Sequence, residues 1–193
     1  YRDAPADVQP LLEANIEELD ASLFRDRYLP AAVDAKALED NNRTTVDQMA
    51  SLRMVHPGPP AIPTVLGMLV LGKEPTRHLP MAYVSFLRLA GTALHSEVIT
   101  AHDIKGPVPR ILAQIDELLG LHVMTAVDIT SANLEIRRPD YPIPALRQLI
   151  RNAILHRTYE GTNAPVRIYW FADRVEIISP GGPYGQVTAE NFG

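Results

Sequence analysis

The stretch "LRQLIRNAILHRTYEG", Leu146 to Gly161, places Gln148, Asn152 and His156 at i, i+4 and i+8. At about 100° per residue these three fall on one ridge of a helix. An asparagine amide there can hold a metal-bound water or a phosphate oxygen, and a histidine can do either or shuttle protons. A plainer reading has the same groups bonding the neighbouring loop and capping the helix end. Soon afterwards comes "ISPGGPYG", Ile178 to Gly185, the densest turn signal in the chain. Gly181, Gly182 and Gly185 could let backbone N–H groups approach a phosphate, or could simply make a turn with positive φ. No Gly-Lys-Ser/Thr follows, so this is not a P-loop, and the spacing is not that of a dinucleotide fingerprint.

Other chemistries find less support. There is no cysteine, which excludes a thiol nucleophile, thiolate metal ligands and a disulfide scaffold. The six histidines, at 56, 78, 95, 102, 122 and 156, lie at no metal-ligand spacing, and no Gly-x-Ser-x-Gly elbow is present. Asp116 and Glu117 are neighbours on a helix, so they point apart and read as a solvated face. Residues 1–53 carry six basic and eleven acidic groups, which makes that third a poor polyphosphate binder. The last third, from residue 131, carries seven arginines and no lysine. Arginine favours fixed, bidentate anion contacts, so direct DNA binding is one reading of it, with solvated arginines as the plainer alternative.

The elements that would position these residues can be traced by period. On a helix over Ala145–Arg157, opened by Pro144, the residues Leu146, Leu149 and Ala153 face a core with Ile150 close by. Gln148, Asn152 and His156 then border the apolar stripe. "APVRIYWF", "ADR" and "VEIIS" read as a hairpin turning at Ala172–Arg174. Val108–His122 is an amphipathic helix with Ile111, Leu112, Ile115, Leu118 and Leu119 on one stripe. Residues 81–91 and "EVITAHDIKGP" read as strands, and "ANLEIRRPDYP" as a third. Earlier, residues 7–21 read as a surface helix, "FRDRYLP" as an extended piece, and Val33–Leu38 and Thr44–Val55 as short helices with Thr44 or Thr45 as N-cap. "HPGPPAIP", His56 to Pro63, reads as a rigid connector. "TVLGMLVLG" reads as a helix running into a strand near Met68–Leu71. The expected fold is α+β: a helical segment and linker over 1–60, then a mixed sheet with helices on one face over 61–193. The longest apolar run, Val65 to Gly72, is far shorter than the roughly 20 residues a membrane span needs, so no membrane partner is expected. The chain starts at Tyr1 with no leader and stops at Gly193 just after a loop, and is expected to be a piece of a longer, cytoplasmic protein. The 165–179 hairpin could leave an edge strand for a homodimer.

"YPIPALRQLIRNAILHRTY", followed by "APVRIYWFADRVEIISPGGPYGQVTAENF", resembles the C-terminal part of proteins known as RecG-like ATP-dependent DNA helicases or transcriptional regulators. "LVLGKEPTRHLPMAYVSFLRLAG" and "IKGPVPRIL" are similar to the middle section of the same family. The resemblance covers roughly 62–193. It implies a Schlafen/AlbA-type DNA-binding domain, its tail and linker falling in residues 1–60, ahead of a divergent histidine-kinase-like (GHKL) ATPase domain. In that superfamily a helix carries Glu-x-x-x-Asn: the Asn holds the magnesium bridging the ATP phosphates and the Glu polarises the attacking water. The resemblance puts Asn152 on the Asn position, a magnesium ligand if nucleotide binds, and Gln148 on the Glu position. Glutamine cannot accept a proton, so hydrolysis through it is not expected. The family's His-Arg-Asp-Tyr is here His156-Arg157-Thr158-Tyr159. Its Asp-x-Gly-x-Gly adenine loop is here Ser179-Pro180-Gly181-Gly182-Pro183, with no Asp. The resemblance thus implies a cofactor of ATP with magnesium and a DNA-linked regulatory role. The departures imply a degenerate site that does not catalyse by itself, held by Gln148, Asn152, His156, Gly181 and Gly182. A working ATPase of a helicase-related protein is the alternative.

Overall fold

The computed structural model describes residues 5–39, 42–123, 125–128, 136–159 and 163–182. They form two compact units, Tyr1–Tyr83 with Lys105–Arg110, and Val84–Ile104 with Ile111–Gly193. The architecture is α+β, with helices and mixed sheet as expected.

In the first unit the helices are short: α1 (Ala21–Leu23), a π-helical turn (Phe24–Tyr28), α2 (Leu29–Ala32), α3 (Ala35–Glu39), α4 (Thr45–Ser51) and α5 (Val65–Leu71). The surface helix expected over 7–21 is replaced by two single 3₁₀ turns, Ala6–Val8 and Ile16–Glu18. The cause is local chemistry. Pro10 lacks an N–H, the Leu11 N–H goes to the Pro63 carbonyl, and the Asn15 and Asp20 side chains cap new turns in midstretch. The same Asp20 cap winds "FRDRYLP", expected to be extended, into continuous helix; its carboxylate accepts from Ser22 and Leu23 N–H at 3.0 and 2.9 Å. Thr44 caps α4 as the sequence suggests, with Asp47 returning the bond to the Thr44 N–H.

"HPGPPAIP" folds back on itself as the turn and second strand of a two-stranded antiparallel pair, β1 (Val55–His56) with β2 (Ile62–Pro63), wholly inside this unit. "TVLGMLVLG" is helix throughout, with no strand at Met68–Leu71. Buried Thr64 caps α5, its hydroxyl donating to the Arg53 carbonyl (2.7 Å) and accepting from the Gly67 N–H (3.0 Å). A Cβ on Gly67 would overlap the Met54 carbonyl, so only glycine lets α5 pack there. Phe24, Met49, Met54, Met68 and Leu71 fill the core around it.

The second unit is built on a four-stranded sheet in the order β4 (Val98–Ile104), β3 (Val84–Leu89), β7 (Val166–Trp170), β8 (Val175–Ile178). The β3–β7 pair is parallel and the two flanking pairs are antiparallel. The β7–β8 turn sits at Ala172–Arg174 as expected, closed by the Phe171 N–H on the Arg174 carbonyl at 2.9 Å. A separate antiparallel pair, β5 (Thr125–Asp128) with β6 (Ile136–Pro139), follows α6 (Val108–His122). Only β6 was anticipated; Leu134 of that expected strand lies outside the described residues. Phe86 pairs with His102 and Ile168, and Arg88 with Trp170, so these residues share one face. His122 of α6 stacks on Phe86, and Tyr141, just ahead of α7 (Ile143–Leu155), meets the Trp170 ring edge-on. The helices therefore cover that face. Among the described residues no helix is long and apolar enough to cross a membrane.

Candidate functional site

α7 starts with Pro144 in its first turn, two residues earlier than expected, and ends at Leu155, with His156 as C-cap donating its N–H to the Asn152 carbonyl (2.9 Å). The stripe that packs inward is Leu146, Ile150 and Ile154. Leu149, expected to face the core, is 55% exposed. This small rotation moves the whole ridge: Gln148, Asn152 and His156 are all exposed rather than half-buried at the border. Leu146 stays inward while Ile150 and Ile154 take the places expected for Leu149 and Ala153, a turn of about 60° at 100° per residue.

On this ridge Gln148 Nε2 donates to Asn152 Oδ1 at 3.1 Å. The pair is the familiar i, i+4 amide contact of an exposed helix surface. It engages the one oxygen through which Asn152 could hold a cation. The His156 ring makes no hydrogen bond to a described residue.

The helix end and the glycine loop are brought together, through backbone groups at the helix end rather than through the side chains of Gln148, Asn152 or His156. Ser179 Oγ donates to the Ala153 carbonyl at 2.8 Å, and the Thr158 N–H donates to the Pro180 carbonyl at 3.0 Å. Gly181 has φ +120°, and a Cβ there would lie 2.5 Å from Thr158 Oγ1. Gly181 is thus required by a left-handed turn packed on the helix end. Gly182 is different: it is exposed, and a Cβ would meet nothing within 4 Å. Gly185 lies outside the described residues.

Beneath the ridge, Arg157 is buried, with Nη2 donating to the Ala164 carbonyl at 3.2 Å and its guanidinium 4.4 Å over the Tyr159 ring. Burial raises the Tyr159 phenol above its ordinary range, and its hydroxyl donates to the Ile154 carbonyl (3.2 Å). These residues are scaffold for the helix end.

Of the arginines of the last third, Arg147, Arg151 and Arg174 are ion-paired and Arg157 is buried. Arg147 Nε meets Asp116 at 2.7 Å and Arg151 Nη2 meets it at 3.9 Å, tying α7 to α6. Asp116, expected to be merely solvated, is therefore a half-exposed tie. Arg174 is held by Glu176 (2.6 Å), Asp173 (3.0 Å) and the Thr92 carbonyl (3.0 Å). These contacts leave few guanidiniums of α7 and the hairpin for a phosphate backbone. Among the described residues no group of three or more His, Asp or Glu could hold a metal. The reading from spacing missed one cluster, Arg88, His122 and Trp170. The period of α6 pointed to it, since His122 follows Leu119 by three on the stripe of Ile111 and Ile115.

No protein-family model matches this chain, and no curated protein matches it in sequence. Among solved structures it is similar to the DIP2311 protein from Corynebacterium diphtheriae, with a TM-score of 0.60 and 16% sequence identity over 98% of this chain. The chain spans 36% of the length of that protein. At such identity the likeness is one of fold, and the α+β arrangement described above is the property the two share.

Proposed function

We propose that this chain supplies a degenerate GHKL-like nucleotide fold to a longer, DNA-linked regulatory protein, and that it does not hydrolyse ATP by itself. The observation that carries the reading is the pairing of an exposed amide ridge, Gln148 and Asn152, with a glycine turn stitched to the same helix end. That juxtaposition is the layout in which a nucleotide's phosphates would meet a helix and a loop. The chemistry on it is wrong for turnover. Gln148 has no proton-accepting oxygen of carboxylate strength, Thr158 stands where the family's motif has an acid, and the loop offers no carboxylate for adenine. Magnesium sites use one or two carboxylates beside substrate phosphates. Asn152 Oδ1, already bonded to Gln148, does not fit as a resident magnesium site, and no step is routed through one.

The DNA link rests on the resemblance of the quoted segments and is assigned to a domain ahead of Tyr1. The paired state of Arg147, Arg151 and Arg174 favours that assignment over direct DNA binding by this part. A homodimer through the β8 edge and a cytoplasmic location belong to the same reading. Calorimetric titration with Mg·ATP and a phosphate-release assay test the proposal together. Weak or no binding with no turnover is expected. Hydrolysis by this chain that disappears in Asn152→Ala would establish the alternative, a working ATPase.

A further inference from the structure

The contact between Arg88 and His122 carries an inference independent of the nucleotide reading. Arg88 Nη1 lies 2.7 Å from His122 Nδ1. A guanidinium only donates, so Nδ1 must accept, which makes His122 neutral with its proton on Nε2. The ring is clamped parallel to Phe86, with centroids 5.2 Å apart, and lies 6.0 Å from Trp170. Arg88 itself lies 5.9 Å over the Trp170 ring. Among the described residues the groups that face His122 are cationic or neutral. β3 presents Arg88 and Phe86. β4 presents His102, opposite Phe86 in register and so on the same face. β7 presents Trp170, with Tyr141 edge-on beyond it. On α6 itself the carboxylate of Asp116 is engaged by Arg147 and Arg151. Among the described residues no carboxylate bonds Arg88 or His122.

Protonating His122 would therefore remove the acceptor of Arg88 and place a second positive charge at 2.7 Å from the first, with no counter-ion among the described residues. We propose that the Arg88–His122 contact is a proton-operated latch. It holds the last turn of α6 against the sheet while His122 is neutral and releases it on protonation. His122 is the final residue of α6, and β5 starts three residues later, so release frees the point where the β5–β6 pair joins the helix. Burial, then the charges of Arg88 and His102, hold the imidazole below its ordinary pKa of about 6.5. The unfolded turn thus takes up the proton first. The latch is fully closed above about pH 6.5, weakens as pH falls from there to the lowered native value, and levels off below it.

The test uses the whole chain. Ring-nitrogen NMR of wild type at pH 7.5 is expected to show His122 as the Nε2–H tautomer; an Nδ1–H tautomer overturns the proposal without any variant. Amide protection factors for Leu119–Val123 are then compared at pH 7.5 and 5.5. They are expected to fall by up to about tenfold per pH unit inside the window, the limit set by one proton. In His122→Gln, which keeps an acceptor but cannot titrate, the change should shrink below about twofold, whereas His102→Gln should retain most of it. An equal pH response in His122→Gln overturns the latch.

Discussion

Replacing Gly181 with alanine tests the stitching of the glycine turn to α7. At φ +120° an L residue is strained, and a residue held in so sparsely populated a region costs about 1–3 kcal/mol. The new methyl would also sit 2.5 Å from Thr158 Oγ1, inside contact distance. The hydroxyl can give way only by turning about its Cβ, whose own distance of 3.3 Å leaves little room, so about 1 kcal/mol of overpacking is added. The sum is roughly 2–4 kcal/mol. Gly182→Ala is the matched control. It stands one residue further on, exposed, with open space where the methyl would go, and is expected to stay within about 0.5 kcal/mol of wild type. Urea unfolding followed by the fluorescence of Trp170, the one tryptophan of the chain, measures both. Combining Gly181→Ala with Thr158→Ala separates the two contributions, because the overpacking should be relieved while the backbone strain persists. A Gly181→Ala cost below about 0.5 kcal/mol, or one matched by Gly182→Ala, would refute this account of the turn.

The orientation of α7 predicts a sharp contrast between adjacent residues. Ile150→Ala removes a side chain that is 1% exposed and should cost about 2–5 kcal/mol, while Leu149→Ala, at 55% exposure, should cost under about 1 kcal/mol; similar losses would mean the helix is turned as its period first suggested. Gln148→Glu supplies the missing carboxylate beside Asn152. It should raise Mg·ATP affinity by at least about fivefold, the equivalent of about 1 kcal/mol for a unit charge at 4 Å from a cation in water, without restoring turnover. Unchanged affinity by calorimetry would mean that the ridge does not face a metal-phosphate group.

The parts of the fold that could be read directly are those in which one local signal dominates. α6 and the β7–β8 hairpin carry long, unambiguous periods, and Ala172–Arg174 turns where the strand pattern breaks. The N-terminal third misled because helical spacing of Leu11, Leu12, Ile16 and Leu19 outweighed the caps at Asn15 and Asp20, which restart the chain. α5 looked like a partial strand because its helix depends on tertiary features, the Thr64 cap bonded to Arg53 and the close approach of Gly67 to Met54. For the site, α7 and "ISPGG" each stood out by composition, but that they meet came only from the fold. Its exposure was not, because a one-residue shift of the stripe is within the tolerance of any periodic reading. The period of α6 puts His122 on the buried stripe, but its partner, Arg88, is on a strand, and spacing along a helix says nothing of what lies across from it.

The parallel pairing of β3 with β7 has a consequence for how the molecule is made. Val84 pairs with Val166, so the middle of the sheet joins two segments with β4, α6, β5, β6 and α7 all synthesised between them. Until β7 emerges, β3 has β4 on one side and an unsatisfied row of backbone groups on the other. Pairings of this kind close slowly, and open apolar edges invite other chains. Translation stalled, or a chain cut, between α7 and β7 would leave a β3–β4 ribbon able to recruit a foreign strand. The order of synthesis, as much as the finished packing, therefore makes the short segment Val166–Trp170 the piece that converts this ribbon into a sheet.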